Sequence, residues 1–252
     1  MAQEAKVKEF EDRLGELHAK GMRGTMSRIF RKYTTALCEP DYTFDNLYLE
    51  GLFATGTDPR PLRRRDRFRL LLQQFERTLA LDGRVAECGC FRGLSSYLLC
   101  SRLRSHDSRF DGTGHEIYDS FEGLSEPLPE DDAARAEEAV ARSTRRGMFA
   151  HPLEAVQRAL NAFPNISYGV GWIPEAFPQD SRSYRFVHVD VDLYQPTKAS
   201  LEHFWPHLVP GGLMVCDDYN WPGAKRAVEE FAAASGAAFM VTPSNQAVFA
   251  KA

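Results

Sequence analysis

Apolar residues recur along the chain at helical spacing in two early segments. Residues 4–20 have apolar positions three or four apart, which predicts an amphipathic helix. A second helical pattern covers residues 60–81 and stops at an Asp-Gly pair, which favours a turn. Residues 21–57, between these two patterns, give only weak signals.

After residue 83 the rhythm changes to short apolar runs that alternate with helical patterns. Five runs are predicted as strands: 84–88, 115–118, 166–170, 185–190 and 212–216. The predicted helices between and after them begin near Leu94, Leu153, Lys198 and Ala224. Such alternation predicts an α/β fold with a parallel sheet.

Two last runs, 238–242 and 246–250, are separated by three residues, too few for a parallel crossover. They predict an antiparallel hairpin at the edge of the sheet. The expected fold is therefore a mostly parallel, seven-stranded sheet that ends in an antiparallel hairpin. This arrangement is similar to that of the Rossmann-like class I methyltransferases.

The same pattern divides the chain into two predicted parts. Residues 1–59 form a helical N-terminal extension, and residues 60–252 form the α/β domain. Within that domain, residues 126–147 are polar and begin with two prolines and three consecutive acids. We interpret this segment as a mobile insertion and a candidate lid over a site.

Composition narrows the expected partners. The net charge of −4 and the pI of about 6.0 argue against a nucleic-acid binder, which would carry a basic excess. An arginine-rich run at residues 60–69 is the contrary sign, and we interpret it as a solvated helix face. The chain has neither an apolar segment long enough for a membrane span nor a signal-peptide segment, so a cytoplasmic protein without membrane partners is expected.

A glycine turn follows the first predicted strand. Gly89 permits close approach of a ligand to the backbone, and Gly93 lets the next helix begin tight against the strand. Ser95 lies in the first turn of that helix, where free N–H groups favour an anionic group. Glu87 precedes the turn and suits an acid that helps hold the cationic end of a methionine moiety, although a strand–turn–helix without a ligand stays an alternative. Asp119 ends the second strand, where an acid can bind ribose hydroxyls.

Four aspartates follow two later strands. Asp190 and Asp192 come after the fourth strand, and Asp217 and Asp218 after the fifth. If these strands are neighbours, their carboxyl ends bring four carboxylates together at the ligand edge of the sheet. Mg²⁺ prefers such oxygen ligands and would relieve their mutual repulsion, lower the pKa of an acceptor hydroxyl and leave a carboxylate to take the proton. The alternative is that Asp217 or Asp218 caps the following helix.

Taken together, four segments resemble the macrocin O-methyltransferase (TylF-type) family. They are the glycine turn, the segment at residues 118–124 and the acidic segments at residues 188–194 and 210–219. The resemblance covers residues 80–235. It implies an S-adenosylmethionine donor, a magnesium ion and a small hydroxyl acceptor, sugar-like or phenolic.

The resemblance also implies roles for single residues. It assigns Asp190, Asp217 and Asp218 to the metal, and Asp190 and Asp192 to catalysis, with Asp192 as the general base. The implied donor-binding residues are Glu87, Gly89, Phe91, Gly93, Ser95, Asp119, Ser120, Phe121, Gly171 and Trp172. For Trp172, a core position is the alternative.

The predicted function is that of an S-adenosylmethionine- and metal-dependent O-methyltransferase, acting on a natural-product sugar or a similar hydroxyl. One alternative is a nucleotide-sugar glycosyltransferase, since Asp190 and Asp192 also fit the DxD pattern that holds a metal and a diphosphate. A second is a methyltransferase-fold binding module without activity. The N-terminal helices are candidates for pairing subunits into a homo-oligomer.

Overall fold

A seven-stranded sheet forms the centre of the computed structural model, which describes residues 2–37, 41–131 and 144–252. Its strands are β1 (Arg84–Cys88), β2 (His115–Asp119), β3 (Ser167–Val170), β4 (Tyr184–Val189), β5 (Leu208–Cys216), β6 (Phe239–Val241) and β7 (Ala247–Ala250). The helices of the described residues are α1 (Ala2–Ala19), α2 (Arg23–Leu37), α3 (Tyr42–Thr55), α4 (Arg64–Glu76), α5 (Leu94–His106), α6 (Leu153–Ala159), α7 (Tyr194–Phe204) and α8 (Pro222–Ser235).

The strand order is β3-β2-β1-β4-β5-β7-β6. Strands β1 to β5 pair in parallel, while β7 is antiparallel to both β5 and β6. This confirms the predicted α/β sheet with its C-terminal antiparallel hairpin. The chain leaves β1 toward β2 and β3 on one side and returns to β4 on the other, which opens a ligand crevice at the carboxyl ends of β1 and β4.

Apolar side chains cover both faces of the sheet. On one face, Val85 and Phe186 belong to a cluster that also contains residues of the N-terminal helices, including Leu14, Met26 and Phe30. On the other face, the sheet packs against α7 and α8. The N-terminal helices therefore share a hydrophobic core with the sheet, and the division at residue 59 stays a prediction.

Three helices differ from the predicted pattern. The weak region at residues 21–57 contains α2 and α3, and α3 is buried on several sides, so it has no clean apolar stripe. Asp41 caps α3 by accepting the Phe44 N–H at 3.0 Å. Helix α7 begins four residues before the predicted Lys198, and it accommodates Pro196 in its first turn, where the missing N–H costs nothing.

The candidate lid at residues 126–147 is described only in part, since residues 132–143 lie outside the described residues. Asp131, the last described residue before this gap, anchors the segment to the rest of the protein. Its carboxylate accepts the N–H groups of Leu128 at 2.8 Å and Tyr194 at 2.6 Å. Its lid role stays a prediction. None of the described helices is both long enough and apolar enough to cross a bilayer.

Candidate active site

A cleft of about 310 Å³ lies at the carboxyl edge of the sheet. It brings together most of the residues that the sequence singled out, from both the glycine turn and the acidic strand ends. The predicted residues in its lining are Gly89, Phe91, Ser95, Asp119, Ser120, Gly171, Trp172, Asp190, Asp192 and Asp218. Four others lie outside the lining: Glu87, Gly93, Phe121 and Asp217.

The glycine turn holds the tips of β1 and β4 close together. Gly89 has φ of 79°, and a Cβ atom at this position would collide with the backbone oxygen of Asp190. The Asp190 N–H donates to the Cys88 carbonyl at 2.8 Å. Gly93, with φ of 83°, caps the start of α5, and a Cβ there would press on Val156 and Leu160 at 3.3 Å. Gly93 therefore serves the packing of the turn rather than the surface of the cleft.

Asp119 joins the turns that follow β1 and β2. Its Oδ2 accepts the Cys90 N–H and its Oδ1 accepts the Phe121 N–H, each at 2.7 Å. A carboxylate has about four lone-pair sites, so both oxygens retain capacity for ligand hydroxyls. Phe121 contributes its backbone to this arrangement, while the Ser120 hydroxyl donates to the Gly123 carbonyl at 3.0 Å.

Glu87 lies beneath the cleft rather than in its lining. Its carboxylate is fully buried, accepts a hydrogen bond from the Ser96 hydroxyl and lies 2.9 Å from His188 Nδ1. Burial alone would raise the pKa of Glu87, but the hydrogen bond and charge of His188 outweigh it and hold that pKa below the usual value. Its position gives no support to direct contact with the donor. Glu87 instead orients His188.

The four aspartates converge because β4 and β5 are in register. Val189 pairs with Cys216, so Asp190 and Asp217 follow at the same level of the sheet. Oxygens of Asp190, Asp192 and Asp218 lie within 4.8 Å of one another, and His188, Asp190 and Asp217 form a second group of the same size. Asp192 joins through a left-handed turn, with φ of 61°, because β4 already ends at Val189.

The crowding of these acids shifts their pKa values in different directions. Burial and the charge of Asp190 raise the pKa of Asp192 to about 7. Burial and the charges of Asp192 and Asp190 raise the pKa of Asp218 well above the usual range. Burial works in the same direction on Asp190, but the positive charge of Arg67 prevails and lowers the pKa of that carboxyl. The cluster therefore depends on a nearby cation.

Arg67 of α4 is the member of this cluster that the sequence did not reveal. Its Nη2 lies 3.1 Å from Asp190 Oδ1 and 3.6 Å from Asp218 Oδ1, and it forms an ion pair with Asp217. The interpretation of residues 60–69 as a solvated face is wrong here. Arg65 is also buried, 2.6 Å from Asp45. The excess negative charge of the four acids was the one signal in the sequence that a cation lies nearby, and it does not identify which residue supplies the positive charge.

The acidic cluster fits a hard divalent cation. Its ligand atoms are carboxylate oxygens, which Mg²⁺ prefers, with one imidazole beside them. Two of its buried atoms, Asp218 Oδ2 and His188 Nε2, have no hydrogen-bond partner among the described residues. The capping alternative fails, because α8 has Trp221 at its N-cap without a side-chain cap. Asp217 is bound instead by Gln246 Nε2 at 2.5 Å.

Comparison with known families gives one match over most of the chain. The family model described as macrocin O-methyltransferase (TylF) matches residues 62–248. Among curated proteins, an 8-demethyl-8-(2,3-dimethoxy-alpha-L-rhamnosyl)-tetracenomycin-C 4'-O-methyltransferase of Streptomyces olivaceus is 29% identical over 158 residues, 60% of this chain and 58% of that protein. A demethyldecarbamoylnovobiocin O-methyltransferase of Streptomyces niveus is 30% identical over 61% of this chain and 59% of its own length. The chain thus spans about three fifths of these relatives.

Two solved structures share the fold. The O-methyltransferase NovP has a TM-score of 0.66 at 23% identity and covers 82% of this chain and 98% of its own. The calicheamicin methyltransferase CalS11 has a TM-score of 0.63 at 17% identity, with coverage of 86% and 95%. At such identities the likeness concerns the fold alone, and it confirms the predicted Rossmann-like class I architecture.

Proposed function

Because the chain belongs to the macrocin O-methyltransferase (TylF) family, we propose that it transfers a methyl group from S-adenosylmethionine to a hydroxyl of a small molecule. One observation carries this proposal. The glycine turn with Asp119 and the acidic cluster with Asp190 line the same cleft. A donor and an acceptor held at these two places would meet inside it, which is the main requirement for an in-line transfer.

We assign the donor to the half of the cleft above β1 and β2. The first turn of α5 at Ser95 offers backbone N–H groups for a carboxylate. Asp119 accepts ribose hydroxyls, and Gly171 and Trp172 border the base. S-adenosylmethionine supplies an already reactive methyl group, so the protein contributes orientation and exclusion of water.

We assign the acceptor hydroxyl to the half beside the acids. Asp190, Asp217 and Asp218 are the residues that would hold Mg²⁺, because each has an oxygen beside the same guanidinium nitrogen of Arg67. The ion would supply positive charge to lower the pKa of a hydroxyl. Asp192 is the proton acceptor, because it lines the cleft and its oxygen lies within 4.8 Å of oxygens of Asp190 and Asp218. His188 steadies the cluster from below through its contact with Glu87, 2.9 Å away.

For the acceptor we propose a sugar hydroxyl of a natural product. Relatives are named for methylating a rhamnosyl-tetracenomycin, a demethyldecarbamoylnovobiocin and, in Micromonospora griseorubida, mycinamicin III. We expect selection among such acceptors at the side of the cleft that is lined by Thr57, Arg64 and Phe68. A cytoplasmic location and pairing through the N-terminal helices stay predictions.

Calorimetric titration with S-adenosylhomocysteine and with UDP tests the donor class first. We expect micromolar binding of the former and none of the latter. Incubation of the protein with methyl-labelled donor and a panel of glycosylated natural products, with Mg²⁺ or with EDTA, then tests transfer. Binding of UDP alone would point to a glycosyltransferase, whereas donor binding without transfer to any acceptor would favour the inactive binding module.

A further inference from the structure

The guanidinium of Arg67 contacts the oxygens that a divalent cation would need. Its Nη2 lies 3.1 Å from Asp190 Oδ1 and 3.6 Å from Asp218 Oδ1, and it pairs with Asp217 Oδ2. A cation on these same three oxygens would bring two like charges into direct contact in a half-buried place, where their repulsion is weakly screened. The arginine and the metal therefore exclude each other.

The arrangement with Arg67 leaves part of the cluster unsatisfied. Asp218 Oδ2 and His188 Nε2 are buried and have no hydrogen-bond partner among the described residues. His188 Nε2 points toward the acids, 3.8 Å from Asp217 Oδ1. Buried polar atoms normally have partners, so these two atoms indicate that a ligand other than the guanidinium belongs at this place.

Arg67 differs from its neighbour Arg65 in its freedom to leave. The Arg65 side chain is 0% exposed and is bound by Asp45 at 2.6 Å, so it is fixed in the core. The Arg67 side chain is 28% exposed and lines the open cleft. A change of rotamer would carry its guanidinium into the cleft without unpacking α4 from the sheet.

From these contacts we infer that Arg67 is a resident counter-ion that competes with the divalent cation for the acidic cluster. The guanidinium neutralises the carboxylates when no metal is bound, and it leaves them when a metal binds. The metal affinity of the protein is then the result of an exchange and is weaker than the four acids alone would give. This inference rests on the metal site of the proposed function.

The test measures metal binding without donor, acceptor or turnover. Purified protein is titrated with Mn²⁺, free Mn²⁺ is followed by electron paramagnetic resonance, and Mg²⁺ is added as a competitor. For Arg67→Gln we expect binding at least about tenfold tighter than in the wild type, roughly 1.4 kcal/mol. In EDTA the same variant should melt about 4 °C or more below the wild type, because its acids have lost their counter-charge.

Arg64→Gln is the matched control. Arg64 lies on the same helix and lines the same cleft, but its charge acts on Asp190 more weakly than that of Arg67, and it forms no ion pair with any residue in the described part of the chain. Its loss should change Mn²⁺ affinity less than about threefold. If Arg67→Gln does not fold without metal, Arg67→Lys decides, since it keeps the charge but not the planar fork and should bind Mn²⁺ with intermediate affinity.

Each other outcome has its own meaning. Weaker Mn²⁺ binding in Arg67→Gln would show that the arginine orders the metal ligands, and unchanged binding would show that it does not compete; either result overturns the inference. If neither the wild type nor the variants bind Mn²⁺, the metal part of the proposed function fails together with the inference. The titration with S-adenosylhomocysteine would still test the donor part separately.

Discussion

The two halves of the cleft are built by different forces. The donor half is formed mainly by backbone: Gly89 in a left-handed conformation, and Asp119 binding two backbone N–H groups at 2.7 Å. The acidic half is formed by charge, with Asp190 and its neighbours gathered around Arg67, which is 123 positions away from Asp190 in the sequence. The donor half can be seen in the local sequence as a glycine and an acid at two strand ends, whereas the acidic half also needs a cationic partner from a helix far away in the sequence.

This difference predicts that substitutions in the two halves of the cleft impair different properties of the protein. Loss of a carboxylate in the acidic half should stop the chemistry and spare donor binding. Loss of backbone geometry in the donor half should harm folding and donor binding together. The variants below test this separation, from the largest expected effect to the smallest.

Asp190→Asn should reduce methyl transfer by about 10³-fold, roughly 4 kcal/mol, because a cluster without this carboxylate holds neither a cation nor a developing charge on the acceptor. Affinity for S-adenosylhomocysteine should stay within about threefold of the wild type. Initial rates with labelled donor and calorimetry with S-adenosylhomocysteine provide the two measurements.

Asp107→Asn is the control for a change of charge alone, since Asp107 is an exposed residue at the end of α5, paired with Arg109 at 3.3 Å. It should leave both quantities near the wild-type values. Retention of the full rate by Asp190→Asn would remove the acidic cluster from the mechanism.

Gly89→Ala should lower the free energy of unfolding by about 3 kcal/mol and abolish measurable binding of S-adenosylhomocysteine. A methyl group there would be strained by φ of 79° and would collide with the Asp190 backbone. Urea denaturation gives the stability, and calorimetry gives the affinity.

Gly236→Ala separates the two causes, because Gly236 also has positive φ, 69°, but a Cβ added there would meet no atom within 4 Å. Its cost should be about 1 kcal/mol, with donor binding unchanged. Equal costs at the two glycines would mean that close approach of β1 and β4 is not what Gly89 provides.

The sequence predicted the fold better than the site, for a physical reason that particular residues illustrate. The strands follow from local apolar runs, and the predicted bounds of β1 equal the observed Arg84–Cys88. Helix α3 escaped because burial on several sides removes the amphipathic stripe that periodicity detects. Apolar runs thus predict buried strands such as β1, whereas a helix without a single apolar face gives no periodic signal.

Within the site, the acids and the glycines could be predicted because their positions at strand ends determine where they lie. The role of Arg67 could not be predicted, because Arg65 and Arg67 have the same local sequence signal yet bind different acids, Asp45 and the cluster at β4 and β5. Glu87 shows a related difficulty, since its neighbour His188 belongs to another strand. Charge compensation is a tertiary property.

A substitution of His115 tests the buried polar network behind the glycine turn. Its Nε2 lies 2.9 Å from the Ser96 hydroxyl, which also contacts Glu87, and burial lowers the pKa of His115 to about 4. The unfolded chain takes up a proton near pH 6.5, but the folded protein resists it down to about pH 4, so stability is lost as the pH falls through this window. Between pH 7 and pH 5 this histidine should account for about 2 kcal/mol of lost stability.

His115→Gln should remove that part of the loss, which urea denaturation at the two pH values would measure. His106→Gln, at an exposed position near the end of α5, should follow the wild type. Wild type and His115→Gln losing the same stability between pH 7 and pH 5 would mean that His115 is not held neutral by burial.

Asp119→Asn should have the smallest effect of these substitutions. It tests whether donor binding and metal binding are independent of each other. The amide keeps one acceptor oxygen but opposes the other backbone N–H with a donor, so one of the bonds to Cys90 and Phe121 is lost, together with an acceptor for ribose. Affinity for S-adenosylhomocysteine should fall about tenfold, roughly 1.4 kcal/mol, while Mn²⁺ affinity stays unchanged. Asp111→Asn is the matched control, because Asp111 likewise accepts a backbone N–H, from Thr113 at 3.0 Å, but is only partly buried and lies outside the cleft lining. If Mn²⁺ affinity also fell, the two halves would be coupled, because the turn held by Asp119 would then also position Asp190.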